Sequence, residues 1–243
     1  LANSCYLPQS TYGCINPADV FAIRLSMSVN GLKYILNLKD DIAEVKFNLP
    51  GRFNMYNTLC AAAVCGALGI PVKKIAAGIR NVKKVDGRFN VIGTGKCSII
   101  VDFAHTDDGL KNILTAIREF APKRVVTVFG CGGDRDRLKR PLMGKIVSER
   151  SDYCFITSDN PRSENPDSII ADIVGGIPAE RISLCRQVAD RKKAILAAVE
   201  FASDGDVVLV AGKGAEHHTE IGGEKIPYND EEYILGLIEA KRI

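Results

Sequence analysis

From Ser98 to Gly212 the chain alternates two kinds of segment. Short runs rich in Val and Ile ("SIIVDF", "RVVTVFG", "YCFITSD", "ISLCR", "DVVLVAG") are separated by helix-length stretches. Those stretches are "DGLKNILTAIREFA", a segment from about Pro141 to Arg150, "PDSIIADIVGGI" and "DRKKAILAAVEFA". Near-continuous apolar strands joined by helices imply a parallel sheet covered on both faces. In such a sheet, ligands bind beyond the carboxyl ends of the strands. Four of these ends carry polar loops: "VDFAHTDDG", "FGCGGDRDRLKRP", "TSDNPR" and "VAGKGAEHH". Parallel strands bring all four to one edge of the domain.

The first third reads differently. "LKYILNL" and "AEVKFNL" form a strand pair around "KDD",. "NMYNTLCAAAVCGALG" is a helix ending at Gly69, and Pro71 opens a second one, "VKKIAAGIRNV",. In "DGRFNVIGTGKCSIIVDF" two apolar runs flank "GTGK", as in a hairpin,. The domain boundary is therefore expected near Lys84 to Gly87.

Composition narrows the function. A net charge of +3, seven Tyr and no Trp argue against a nucleic-acid partner,. No apolar run approaches the ~20 residues of a membrane span. The opening "LANSCYLPQS" has no basic region followed by an apolar core, so no export signal is expected,. Eight Cys without a C-x-x-C pair, most of them in apolar runs, read as buried thiols of a reducing cytoplasm rather than a zinc or disulfide framework,.

Individual loops have competing readings. "GCGGDRD" is either a turn that needs glycine or a set of backbone N–H groups for an anion, and it is not a Walker A loop. "GTGKCS" lacks the upstream glycine and is read as a turn. His217 and His218 lack a third metal ligand nearby and read as a solvated loop, so no metal site is assigned. Asp102 and His105 form a lone D-x-x-H, read equally as an acid–base pair or as unrelated loop residues. "TSDNPRSENP" sets a fixed cation beside fixed acceptors.

Several stretches resemble the Mur ligases, in family order: "GRFNMYN", "GRFN", "VDFAHTDDGL", "FGCGGDRDRLKRPLMG", "TSDNPRSENP" and "VAGKGAE". They are most similar to the branch that adds the third residue of the peptidoglycan stem peptide. The resemblance implies residues 1–86 as the end of a central α/β ATPase domain. It implies residues 87–243 as a C-terminal Rossmann-like domain, with a mostly parallel sheet, that receives the incoming amino acid. It also implies a cytoplasmic ATP-dependent amide ligase that joins meso-diaminopimelate to UDP-N-acetylmuramoyl-L-alanyl-D-glutamate, with ATP and Mg²⁺. The family's phosphate-binding loop, metal ligands and modified lysine would belong to a missing N-terminal part, so these residues alone are expected to be inactive, and no catalytic residue is assigned.

By the same resemblance, Asn57, Arg88, Asp102 and His105 contact ATP. Arg135, Asp159, Asn160, Pro161, Arg162, Gly212 and Glu216 contact the amino acid. The residue types suit a ligand with two ammonium and two carboxylate groups: arginines donate to carboxylate, while Asp159, Glu216 and the Gly212 carbonyl accept from ammonium. The alternatives are a lysine-adding ligase, a folylpolyglutamate-type ligase, and a non-catalytic module that binds an amino acid or nucleotide. Four positions depart from the family pattern: Phe103 for Tyr, Asp107 for Pro, Leu138 for a small or polar residue, and Ala215 for the His before Glu216.

Overall fold

In the computed structural model of the chain, residues 9–14, 18–28, 31–120 and 122–243 are described. The opening segment read for an export signal falls largely outside them. The chain divides into two compact units, residues 1–84 and 85–243.

In the first unit, strands β1 (Tyr12–Gly13), β2 (Val20–Ser28), β3 (Gly31–Leu38) and β4 (Asp41–Phe47) form a sheet in that order. The β3–β4 hairpin turns at Lys39 and Asp40, both at positive φ, where "KDD" was expected to turn. Helices α1 (Arg52–Ala67) and α2 (Val72–Asn81) cover the sheet. Leu36, Met55, Leu59, Ala62 and Ile75 form its core. Burying each large apolar side chain contributes about 1.5–3 kcal/mol. The Tyr34 hydroxyl enters the same core and meets the Thr58 hydroxyl at 2.7 Å, and burial pushes its pKa up to about 12.

The second unit holds a six-stranded sheet in the order β5-β6-β10-β7-β8-β9. They are β5 (Asn90–Gly93), β6 (Ser98–Asp102), β7 (Val125–Phe129), β8 (Tyr153–Ile156), β9 (Cys185–Gln187) and β10 (Val207–Ala211). All neighbours are parallel except β5, which pairs with β6 as the expected hairpin. Every residue of β7 and β10 is buried, which explains their unbroken apolar character,.

Helix α6 (Arg191–Phe201) packs Ala194, Ile195, Ala198 and Val199 against Val126, Val128, Val208 and Val210. The alternate strand residues Ile100, Thr127, Ile156 and Leu209 are equally buried. Helices α3 (Asp107–Arg118), α4 (Lys139–Arg150) and α5 (Pro166–Val174) pack against one another. Thr127 avoids an unpaired hydroxyl by bonding Ser151 Oγ at 2.7 Å,.

Local chemistry sets the helix starts. The Thr106 side chain caps α3 by accepting from Gly109 N at 3.1 Å,. Asp107, the departure from proline, then lies in the first turn, where the helix dipole favours an acid,. Asn165 caps α5, and Pro166 follows at its first position,.

One expectation needs correction. "ISLCR" is not one strand: Ala179–Leu184 is a 3₁₀ turn, and only Cys185–Gln187 pair with β8. Pro178 opens that turn, and Arg181 staples it to the carbonyls of Ser148 (2.8 Å) and Ser151 (2.6 Å). The segment after "VAGKGAEHH" was not read as regular structure. It forms a hairpin of β11 (His218–Ile221) and β12 (Glu224–Pro227), then helix α7 (Asp230–Glu239).

All cysteines among the described residues are free. Cys97 and Cys154 are buried, and the Cys154 thiol donates to half-buried Cys185 Sγ at 2.8 Å. No helix among the described residues is long and apolar enough to cross a membrane.

Candidate amino-acid site

Strands β6, β10, β7 and β8 are consecutive in the sheet, so the four polar loops converge at their carboxyl ends. Between them lies a cavity of about 380 Å³. Its walls include His105, Arg135, Asp159, Asn160, Arg162, Gly212 and Glu216. Six of the seven residues expected to contact the amino acid thus face one space. Pro161 does not: it is buried, and its carbonyl oxygen lies where a Cβ at Gly133 would be, so its role there is close packing of two loops.

The cationic wall is Arg162. Its Nε donates to Glu220 Oε2 (2.9 Å) and its Nη1 to the Gly133 carbonyl (2.7 Å). Its backbone pairs with β11: Arg162 N donates to the Glu220 carbonyl (3.0 Å), and Gly222 N donates to the Arg162 carbonyl (2.7 Å). Nη2 makes no hydrogen bond among the described residues. Arg135, with Nη1 on the Asp134 carbonyl at 3.1 Å, is the more exposed of the two arginines.

The same cavity is lined by acceptors. Asp159 is buried, and its carboxylate accepts no hydrogen bond among the described residues. Lys213 Nζ lies 3.8 Å from one of its oxygens and Arg191 Nη1 4.0 Å from the other. Gly212 has φ +116, and a Cβ there would lie 2.5 Å from Asp159 Oδ2, so the position demands glycine on both counts,. Glu216 Oε2 accepts from Asn160 Nδ2 (2.8 Å) and Lys213 Nζ (3.3 Å), leaving Oε1 open. Ala215 is exposed beside it, and the Glu216 contacts form without a longer side chain at that position.

A buried ion network supports the loop from below. Arg140, 1% exposed, grips Glu164 through two bonds (2.7 and 2.9 Å) and Asp172 through one (2.9 Å). Those bonds hold the Glu164 carboxyl far below its ordinary value of 4.5, at about 2. Glu164 Oε1 in turn accepts from Asp134 N at 2.6 Å, joining the loop after β7 to the loop after β8. Cys131 also lines the cavity, but burial pushes its thiol up to about 12, which keeps it protonated and non-nucleophilic,.

The residues expected to meet ATP fall in both units. Asn57 is exposed on α1 and bonds Asn54 Oδ1 at 3.3 Å. In the second unit, Arg88 stacks on Phe103 with its guanidinium carbon 4.8 Å from the ring centre. Asp102 is not bonded to His105. Its oxygens accept from Phe89 N and Ala104 N, each at 2.8 Å, and His105 Nδ1 meets the Phe103 carbonyl at 2.7 Å. Burial raises the Asp102 pKa despite those bonds. Its side chain orders the strand ends around Phe89 and Ala104, so the acid–base reading of the pair is not supported. Among the described residues no group of three or more His, Cys, Asp or Glu could hold a metal ion.

Residues 87–214 match the family described as Mur ligase, glutamate ligase domain. The chain belongs to the Mur ligase family. It is 41% identical over 232 residues to the UDP-N-acetylmuramoyl-L-alanyl-D-glutamate–2,6-diaminopimelate ligase 1 of Clostridium acetobutylicum, covering 94% of this chain and 48% of that protein. It is 43% identical over 224 residues to the corresponding ligase of Geobacillus kaustophilus, covering 92% and 46%. A solved structure of a ligase of the same name superposes with a TM-score of 0.68 at 33% identity, covering 96% and 48%. This Mur ligase chain therefore spans about half the length of the curated relatives it matches.

Within the Mur ligase site, Lys213, Glu220 and Arg140 were not singled out from the sequence, and Glu164 was read only as an acid near a helix start. Lys213 and Arg140 lie inside the stretches "VAGKGAE" and "FGCGGDRDRLKRPLMG", so position alone flagged them. Glu220 had no flag, because its contact depends on the β11–β12 hairpin.

Proposed function

We propose that this chain is the C-terminal half of an ATP-dependent ligase that adds meso-diaminopimelate to UDP-N-acetylmuramoyl-L-alanyl-D-glutamate, a step of peptidoglycan and hence cell-wall synthesis. On this reading residues 87–243 are the domain that binds diaminopimelate. Residues 1–86 are the end of the central ATPase domain, and the ATP-side residues are Asn57 from that part and Arg88, Asp102 and His105 from the C-terminal domain. The supporting observation is what one cavity brings together: the open Nη2 of Arg162, the carboxylate of Asp159, which accepts no hydrogen bond among the described residues, and the Oε1 of Glu216. A ligand with a carboxylate and an ammonium at its far end satisfies both the cation and the acceptors, whereas lysine leaves the arginine unmatched.

The chain's part in the reaction is positioning. The glutamyl carboxylate is phosphorylated from ATP, and the diaminopimelate amine held by this domain attacks the acyl phosphate, forming the amide and releasing phosphate. Fixing the amine in line with the acyl group converts an encounter between two solutes into a local step. Mg²⁺, implied by the family, would offset phosphate charge and is assigned no residue of this chain.

Calorimetric titration of the chain with meso-diaminopimelate and with L-lysine tests the reading. Saturable binding of diaminopimelate, with lysine weaker by orders of magnitude, is expected. Equal affinity for the two amino acids, or lysine preferred, contradicts it.

A further inference from the structure

Lys213 is fully buried, yet its ammonium is not a wall of the cavity. A buried charge is costly unless it is well paired. This one uses all three of its protons: on Asn160 Oδ1 (2.7 Å), on the His218 carbonyl (3.1 Å) and on Glu216 Oε2 (3.3 Å). Those acceptors come from three separate segments: the loop after β8, the loop after β10 and the start of β11.

The consequence falls on the neighbours. Asn160 Oδ1 also accepts from Glu220 N at 3.0 Å, so both donors to that oxygen are fixed. An amide's oxygen and nitrogen ends are nearly the same shape, and only their partners decide which way it faces. With Oδ1 committed to Lys213 and Glu220, Nδ2 must point to Glu216, where one of its protons is used and the other stays available. Glu216 is polarised likewise, with Oε2 held and Oε1 released.

We propose that Lys213 is a positioning residue for the incoming amino acid. By fixing the amide orientation of Asn160 and the rotamer of Glu216, it presents one N–H and one carboxylate oxygen to the ligand without touching it. The proposal rests on the reading of this cavity as the diaminopimelate site. Without the ammonium, Asn160 Oδ1 keeps one donor, Glu216 Oε2 loses its cation, and the amide is free to turn over.

The test is a double-mutant cycle on the 243-residue chain, with meso-diaminopimelate as the probe and calorimetry as the readout. Truncating one partner of a buried charge cluster is expected to cost roughly tenfold or more in affinity for Lys213→Met. Asn160→Ala weakens binding as well. If Lys213 acts through Asn160, the double variant binds tighter than the product of the two single losses by about threefold or more. Losses that multiply, or wild-type affinity in Lys213→Met, overturn the proposal. Should Lys213→Met fail to fold, nitrogen NMR of the wild-type chain replaces it. A slowly exchanging Lys213 ammonium signal that shifts on adding diaminopimelate is expected. A fast-exchanging or unmoved signal overturns the proposal. A wild-type chain that binds no diaminopimelate defeats the reading of the site itself, and this inference with it. Tight wild-type binding beside an unaffected Lys213→Met defeats this inference alone.

Discussion

At Arg162 the backbone has φ +51, a left-handed conformation that costs a non-glycine residue about 1–2 kcal/mol,. The hydrogen bonds to Glu220, Gly133 and Gly222 hold it there, so this side chain both staples a hairpin and faces the cavity. Arg162→Ala is therefore expected to do two things. Losing the Glu220 pair lowers the unfolding midpoint modestly. Losing the guanidinium costs diaminopimelate about 2–5 kcal/mol of affinity and narrows its advantage over lysine, since a site built for a polar group rejects its absence by roughly 10⁴-fold. Calorimetry with both amino acids separates the effects, and a lower midpoint with unchanged discrimination would leave Arg162 a structural staple only. Glu164 gives a prediction in pH. Its folded pKa of about 2 lies below the ordinary 4.5, so its stabilisation is complete above pH 4.5 and is lost as pH falls toward 2,. Glu164→Gln should flatten the acid limb of a stability-versus-pH curve. A limb as steep as wild type would assign acid unfolding to other carboxylates. Asp159, Asn160 and Arg162 stood out as polar residues in a turn directly behind a strand, and they and Glu216 became candidates through the family resemblance. Lys213 did not, since a lysine between two glycines reads as solvated, and only the fold reveals that it is fully buried.

At the scale of elements, the four central strands and their helices were readable because parallel strands buried on both faces leave long Val and Ile runs. The β11–β12 hairpin was not: "HTEI" and "EKIP" are short and largely exposed, with no alternation to betray them. The 3₁₀ turn at Ala179–Leu184 escaped for a related reason, as a single Arg181 contact pair decides it. The loop after β7 depends on Gly133, where an added methyl would collide with the Pro161 carbonyl. Gly133→Ala should push the two loops apart, weaken diaminopimelate binding at least tenfold and lower stability by about 1–3 kcal/mol, as overpacking does. Both changes are read from one sample by calorimetry and chemical denaturation. Wild-type values in both would mean that the loops yield without consequence.

For the whole molecule, the division after Lys84 separates two sheets with separate cores. The second unit carries its own helices, ion network and cavity. Residues 85–243 alone should unfold in one cooperative thermal transition. A molten or insoluble product would mean that the first unit is needed for folding. The expectation of two units came from the polar stretch before Gly87, whereas Asn57 and the ATP-side residues lie in different units, and sequence order alone does not bring them together. The carboxyl edge of the second sheet is the proposed meso-diaminopimelate site. Its most direct test is a backbone NMR titration of the chain with that ligand. Saturable shifts are expected, concentrated in residues 130–136, 159–162 and 212–220, with little change in β2 to β4. No saturable shift, or shifts centred on another surface, would contradict it.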